Sequence, residues 1–357
     1  MRKKFLCAAV LILAVAFCIC SCGESVTVYE ITEDNAWQVY PADEAPLKTV
    51  RAGDRWYSLM GRYNHSTYSL CVSGDYESLN KVYTVTDAAV WFLEATEDYA
   101  VFSEMHGSFN RIMLCEGKSG TVSEVFSIST EAGYQNSCVG IYGDCVYFAY
   151  TDYAAESAQI KRYRISDGTR DTFAELPYHG EYSCMSLSVD GSTLLAASGT
   201  GEDACLMAFD LDTGAEPVKY DLDGKVKVIY ACAYDTENGG FALYYSDDKG
   251  GEHIATVNKK NGKLKNIYTF GESAYAYQDT LEMRGGHIYW VTQINASGMV
   301  ADHYRFVDYD TKTDSPEEYL RTFSFTVTED GVQLLAFNKV DYDAIYLTEI
   351  YLGGNRE

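Results

Sequence analysis

A short sequence motif recurs in this chain about every 45 to 48 residues. Each copy is a turn that contains glycine or acidic residues, followed directly by an apolar, aromatic-rich segment. The turns of the seven copies are Gly53-Asp54, Glu97-Asp98, Gly143-Asp144, Asp190-Gly191, Gly239-Gly240, Gly285-Gly286 and Asp330-Gly331. Asp-Gly and Gly-Gly between apolar runs are strong hairpin signals, because such turns need residues that tolerate positive φ. Each copy therefore predicts a tight β-hairpin.

A second turn marker keeps the same period. Its copies are Ser73-Gly74-Asp75, Lys118-Ser119-Gly120, Ser166-Asp167-Gly168, Asp212-Thr213-Gly214, Lys260-Asn261-Gly262 and Asp310-Thr311-Lys312. Two markers in one repeat of this length indicate several strands per unit, which is the signature of a β-propeller. We therefore predict an all-β, seven-bladed β-propeller of four-stranded antiparallel blades, with six or eight blades as the alternatives.

The seventh copy supplies three strands, at 323–328, 334–337 and 344–350. The alternating segment 26–31 is expected to add the fourth strand, closing the ring and removing an open sheet edge. Residues 32–47, with Pro41 and Pro46, are interpreted as a linker. The predicted domains are a signal peptide at 1–21, a lipidated N-terminus with closing strand and linker at 22–47, and the propeller at 48–357.

The N-terminus has the pattern of a secretory signal. Three basic residues precede an apolar stretch from Phe5 to Ile19, which is short for a membrane span. The stretch ends in Ile19-Cys20-Ser21-Cys22, which resembles the bacterial lipobox and implies acylation of Cys22. We therefore predict a lipid-anchored protein on the bacterial cell membrane, facing outside the cytoplasm. The alternatives are a plain cleaved signal and an uncleaved anchor helix.

The charge of the chain is strongly negative. Loss of Arg2, Lys3 and Lys4 with the signal would lower the 28 basic residues to 25 against 52 acidic ones, a net charge of −27. Such a field repels nucleic acid and anionic head groups. We expect no nucleic-acid partner, membrane attachment through the N-terminal lipid, an unidentified protein or glycan ligand, and a monomer.

Eleven cysteines suggest a disulfide framework, but four lie at or before Cys22. The remaining seven are Cys71, Cys115, Cys138, Cys145, Cys184, Cys205 and Cys232. Their number is odd, they are scattered through apolar segments, and no C-x-x-C pair occurs among them. They are interpreted as small buried apolar residues rather than as zinc ligands or redox pairs.

Two segments of the fourth repeat carry a family resemblance. Residues 188–198 resemble the TolB-type repeat S-P-D-G-x-x-[LI]-x-[FY]-x-S, with Val189 in place of the proline. Residues 206–214 resemble the sequence motif of the third strand in quinoprotein repeats, L-x-A-x-D-x-x-T-G. The chain thus resembles bacterial β-propeller lipoproteins with TolB-like or quinoprotein-like (WD40-like) repeats. Val218 and Tyr220 stand where quinoprotein repeats end in tryptophan, so no cofactor is predicted.

No motif marks a catalytic or metal centre. The chain lacks G-x-S-x-G, and its six histidines (His65, His106, His179, His253, His287 and His303) are dispersed. Asp308, Asp310 and Asp314 have the spacing of a calcium loop, but Lys312 takes a ligand position and no glycine makes the bend, so a solvated turn is predicted. We assign no catalytic, cofactor-binding or metal-binding residue.

The high tyrosine content, 31 residues, is the remaining functional signal. Tyr275 and Tyr277, in the segment 271–279, are the best candidates for an adaptable binding loop. The leading hypothesis is a non-enzymatic binding or assembly scaffold for a protein or glycan. The alternatives are a hydrolase or lyase acting on polysaccharide or peptidoglycan, and an accessory or sensory subunit of an envelope complex. A cluster of perturbed carboxylates at the channel mouth would favour the enzyme, whereas a broad aromatic rim without convergent ionisable groups would favour the scaffold.

Overall fold

The computed structural model describes residues 26–32, 34, 36, 38–41, 45–61, 67–74, 80–131, 133–222, 226–276, 280–294, 303–328, 331–337 and 344–351. Within these ranges the chain forms seven antiparallel blades arranged in a ring, and its helical content is limited to short 3-10 turns. The predicted all-β, seven-bladed propeller is confirmed. Cys22, His65 and Tyr277 lie outside the described residues.

Two short strands precede the blades: β1 (Thr27–Glu30) and β2 (Gln38–Pro41). Blade 1 contains β3 (Ala45–Ala52), β4 (Arg55–Gly61), β5 (Thr67–Ser73) and β6 (Asn80–Thr86). Blade 2 contains β7 (Ala89–Ala95), β8 (Tyr99–Met105), β9 (Phe109–Glu116) and β10 (Val122–Ser129). Blade 3 contains β11 (Gly133–Tyr142), β12 (Cys145–Asp152), β13 (Ser157–Arg164) and β14 (Arg170–Leu176).

Blade 4 contains β15 (Ser186–Asp190), β16 (Thr193–Ser198), β17 (Cys205–Asp210) and β18 (Val218–Asp221). Blade 5 contains β19 (Val226–Asp235), β20 (Gly240–Asp247), β21 (Glu252–Val257) and β22 (Leu264–Thr269). Blade 6 contains β23 (Ala274–Ala276), β24 (Glu282–Arg284), β25 (His287–Ile294), β26 (Tyr304–Asp310) and β27 (Ser315–Leu320). Blade 7 contains β28 (Thr322–Val327), β29 (Gly331–Phe337) and β30 (Ala344–Tyr351).

The strands of each blade are named A to D from the central channel outward. Strand A pairs with B, B with C, and C with D, always antiparallel. The seven repeated turns of the sequence are the A–B hairpins, and the second marker is the C–D turn. Both turns lie on one face of the ring, which we call the turn face. The B–C and D–A connections form the opposite loop face.

The N-terminal segment closes the ring, but through a different strand from the one predicted. Strand β2 pairs antiparallel with β30, with Gln38 opposite Leu347, and is the fourth strand of blade 7. Strand β1, predicted to close that blade, instead adds in parallel to the outer strand β27 of blade 6. The expected linker 32–47 therefore contains the closing strand. Alternation of apolar and polar residues in a short segment predicts a strand but does not identify the strand with which it pairs. Here the pairing depends on packing at the seam between blades 6 and 7.

The core is divided among the seams between neighbouring blades. Alternate residues of strands A to C enter one seam or the next, as expected when both faces of a sheet are covered. Trp290 is fully buried in the seam of blades 5 and 6. Gly140 approaches Val189 so closely that a Cβ would lie 2.3 Å from Cγ2 of that valine. Side chains also cross the seams to backbone, as where the Cys232 N–H donates to Ser186 Oγ at 3.1 Å.

The innermost strand of blade 6 is interrupted. Strands β23 and β24 both pair with β25, at its two ends, so blade 6 has a divided strand A. Together with β1 this makes blade 6 a six-stranded sheet. No helix among the described residues combines the length and hydropathy needed to span a bilayer.

All six cysteines that the structure describes are free, and all except Cys145 are buried. Burial raises the pKa of the Cys115 thiol to about 11, which makes the thiolate scarce at neutral pH. We expect a protein of residues 23–357 to show all seven of its thiols when it is unfolded without reductant. A thiol titration checks this, and a count below six would show that disulfides form among them.

Candidate functional site

The central channel widens into a cavity of about 330 Å³ in its turn-face half. Every blade contributes to the lining, through the C-terminal half of its strand A or, in blade 6, through β24. Because strand A runs toward its A–B hairpin, these residues surround the end of the channel that opens at the turn face. A volume above 300 Å³ is large enough for a small ligand or an inserted side chain.

Six charged side chains line this cavity, and their signs balance. They are Lys48 and Arg51 from blade 1, Glu94 from blade 2, Asp190 from blade 4, and Glu282 and Arg284 from blade 6. Between them the lining mixes buried apolar side chains, such as Leu93 and Phe325, with the hydroxyl residues Thr49, Ser186 and Thr326, and more of its surface is polar than apolar. Charges gathered in a cleft of the protein interact more strongly than charges on an open surface. We call this set the channel charges.

Glu94 is the most perturbed member of the set. Burial among protein atoms is the main cause that raises its pKa to about 7, although water in the channel still reaches the side chain. Lys48 acts in the opposite direction, while Glu282 and Asp190 raise the pKa further. Groups from blades 1, 4 and 6 therefore act on one carboxyl of blade 2. A carboxyl that titrates near neutral pH can bind a cation or exchange a proton under ordinary conditions.

Asp190 has a structural role in the same cavity. Its Oδ2 accepts the backbone N–H of Thr236 at 2.6 Å, and the Thr236 hydroxyl donates to the Asp190 carbonyl oxygen at 2.8 Å. These bonds join the hairpin of blade 4 to that of blade 5. Among the described residues, Glu94 makes no such hydrogen bond or ion pair. Glu94 is thus an acidic channel group that a ligand can reach.

Tyr275, the one residue of the predicted binding pair that the structure describes, lies toward the other end of the channel. Tyr275 belongs to β23, which pairs with the loop-face end of β25, and its hydroxyl donates to Gln293 Oε1 at 2.7 Å. Its ring packs against the buried cluster of blades 5 and 6. The structure therefore places Tyr275 in a strand and away from the channel charges.

The histidines that the structure describes do not converge on one another. His253 bonds through Nδ1 to Thr269 Oγ1 at 3.0 Å and through Nε2 to Asp247 Oδ2 at 3.3 Å. His287 lies on the turn face, where its hydrogen bond of 2.7 Å to Asp308 raises its pKa. Both pairs hold neighbouring strands of a single blade. In the described part of the chain, no three His, Cys, Asp or Glu side chains are grouped as metal ligands.

The carboxylates of the acidic turn 308–314 accept hydrogen bonds from the turn itself and from neighbouring strands. Asp310 accepts the backbone N–H of Lys312 at 2.8 Å and the Thr313 hydroxyl at 3.0 Å. Asp314 accepts Lys265 Nζ at 2.8 Å, which links blades 5 and 6. The three carboxylates thus serve different partners, which agrees with a turn and not with a calcium loop.

The channel charges were missed in the sequence. The innermost strands are largely apolar in the sequence, and Lys48, Glu94 and Glu282 are isolated charges in them. A charged residue two to five positions before an A–B turn was the available signal. Its meaning depends on four blades meeting around one axis, because residues from 48 to 284 are far apart in the chain.

Comparisons with known proteins support the fold alone. No protein-family model matches the chain, and no curated protein matches it. The solved structure of YCF48 bound to the D1 peptide is similar, with a TM-score of 0.57 at 9% identity over 93% of this chain and 100% of that one.

Two further solved structures cover most of the chain. The β-propeller domain of the trilobed protease from Pyrococcus furiosus gives a TM-score of 0.55 at 10% identity, over 89% of this chain and 98% of that one. Oligogalacturonate lyase from Vibrio parahaemolyticus gives 0.50 at 10% identity, over 88% and 91%. Fold and site together define a seven-bladed β-propeller with a charge-balanced channel mouth on its turn face.

Proposed function

We propose that this protein is a lipid-anchored extracytoplasmic scaffold, and that it binds a protein segment at the turn-face mouth of its channel. The observation that carries the proposal is the set of channel charges, three acidic and three basic groups around one cavity. The lipobox-like segment ending at Cys22 supports the anchor. The TolB-like and quinoprotein-like sequence motifs of blade 4 support the assignment to bacterial propeller lipoproteins.

The balance of signs favours a polypeptide over other ligands. A segment carrying both a basic and an acidic side chain could pair with Glu94 on one side and with Arg51 or Arg284 on the other. Nucleic acid would meet a net charge of −24 over the whole chain. Charge complementarity of this kind contributes mainly to specificity and to the rate of association. A neutral glycan would bury the ionised Glu94 carboxylate without supplying a charge to pair with it, at a cost in desolvation.

Affinity capture with a matched pair of variants tests the proposal. Residues 23–357 would be incubated with solubilised envelope of the host, and retained proteins identified by mass spectrometry. Glu94→Lys should lower recovery of the partner at least tenfold, because it reverses one of the channel charges. Glu202→Lys makes the same change in an exposed B–C loop of the loop face, away from the channel mouth, and should leave recovery unchanged. Equal recovery with both variants would exclude the channel mouth as the binding site.

A second candidate function is turnover of an acidic polysaccharide. It is favoured by one observation, the pKa of about 7 at Glu94 beside the cationic Lys48. A base near neutral pH next to cations that neutralise a sugar carboxylate could abstract a proton and start an elimination. Glycan fragments should then appear with unsaturated ends, and Glu94→Gln should abolish their release while leaving glycan binding intact. Intact glycan after incubation with the native protein would reject this function.

A further inference from the structure

The N-terminal strand reveals on which side of the ring the anchor lies. Strand β1 runs parallel to β27, with Thr27 opposite Glu317 and Glu30 opposite Leu320. Strand β27 follows the C–D turn of blade 6, so it starts at the turn face and runs toward the loop face. Strand β1 shares this direction. Its first residue, Thr27, is therefore its turn-face end.

Strand β1 is held firmly in this position. The ring of Tyr29 stacks on that of Tyr319, with 4.8 Å between the centroids. Glu30 forms an ion pair with the buried Arg321. Ile31, one residue further on, is 4% exposed in the core that blades 6 and 7 share. The direction of the chain at Thr27 is thus fixed relative to the blades.

The covalent path from this point to Cys22 is short. Only residues 23–26 lie between Cys22 and Thr27. Five residue steps span at most about 17 Å, since an extended chain advances about 3.4 Å per residue. A lipid on Cys22 would therefore hold the turn-face rim of blade 6 close to the bilayer. Val26 and Val28, exposed by 40% and 52%, are two of the five large apolar side chains exposed in the described chain, and both lie next to this tether.

We propose that the turn face, and with it the channel mouth, faces the membrane, and that its occupant is an extracytoplasmic segment of an integral membrane protein. This inference rests on the proposed lipidation of Cys22 and on the proposed channel site. The acidic chain disfavours anionic lipid head groups as the occupant. A segment emerging from the same bilayer meets the mouth directly and can carry charges of both signs.

Blade 5 offers a matched pair of positions for a test of orientation. Lys260 lies in its C–D turn and Lys249 in its B–C loop, and both are exposed. The full chain would be produced in a bacterial host, its lipid confirmed by mass spectrometry, and the protein inserted into phosphatidylcholine vesicles. Each of K260C and K249C would carry a fluorophore, and a lipid spin-labelled at its head group would serve as the quencher.

We expect at least threefold stronger quenching at position 260 than at position 249. Equal or reversed quenching of a lipidated, vesicle-bound protein would overturn the orientation but leave the channel site standing. A chain that carries no lipid would overturn the proposed anchor and the orientation together. The capture by Glu94 and Glu202 variants of residues 23–357 needs no lipid, so it tests the channel site separately.

The nature of the partner has its own test in intact cells. A photo-crosslinking residue at Glu237, exposed in the A–B turn of blade 5, would sample the surroundings of the channel mouth. An integral membrane protein crosslinked from position 237 and not from position 249 is the expected result. A soluble protein as the sole crosslinked species would overturn the proposed class of partner.

Discussion

Ile31→Asp should lower the free energy of unfolding by about 4 kcal/mol or more, because it places a carboxylate without a partner in the shared core of blades 6 and 7. Aspartate introduced three residues earlier, in Val28→Asp, should cost less than about 1 kcal/mol. Val28 is 52% exposed on the outer strand β1, so its carboxylate would remain in water. The two variants carry the same change in charge and lie in the same short segment.

Urea unfolding of both variants and of the native protein would measure the difference. A large loss confined to Ile31→Asp would show that the segment after β1 is part of the propeller core. Equal small losses would mean that residues 27–31 do not pack on the ring in solution. The result bears on function, because the direction of the tether depends on this packing.

Glu94→Gln should stabilise the protein above pH 7 by about 1 to 2 kcal/mol and leave its stability nearly unchanged at pH 4. The pKa of Glu94 is raised to about 7 in the folded state, so the folded protein binds this proton more tightly than the unfolded chain does. The contribution of the protonated carboxyl is fully present below the unfolded pKa of about 4.3 and is lost as the pH rises to about 7. The expected change is about half of the full effect or less, because water in the channel screens the charge.

Unfolding experiments at several pH values would test this, with Glu97→Gln as the control at an exposed carboxylate of the same blade. The native protein and the control should lose stability between pH 4 and 7 relative to Glu94→Gln. Parallel pH profiles for all three proteins would show that Glu94 is an ordinary surface carboxylate. The titration should also appear directly in the carboxyl carbon resonance of Glu94.

The titration of Glu94 should also respond to ligand binding in the channel. A cationic ligand group beside Glu94 favours the ionised carboxyl, so binding should release a proton near neutral pH. Lys48, Glu282 and Asp190 act on the same group, and a change at any of them should move its titration. The protonation of Glu94 is therefore a sensitive reporter of occupancy at the channel mouth.

The sequence determined the architecture through local chemistry. Turns such as Asp190-Gly191 require a residue that adopts the left-handed backbone conformation, and Gly191 has a φ of +55° in its hairpin. Each such turn joins two strands that are neighbours in the chain, so the residues that encode the hairpin are close together in the sequence. Seven copies at a fixed period then leave little choice other than a ring of seven hairpin-built blades.

Only the tertiary structure decided which strands the N-terminus joins and which charges meet in the channel. Strand β1 pairs with a strand nearly 290 residues away, and four residues carry too little pattern to select β27 over β30. Lys48, Glu94 and Glu282 are single charges in three separate apolar strands until the ring brings them around one axis. Local turn geometry is encoded by neighbouring residues, whereas the site depends on the closure of the whole ring.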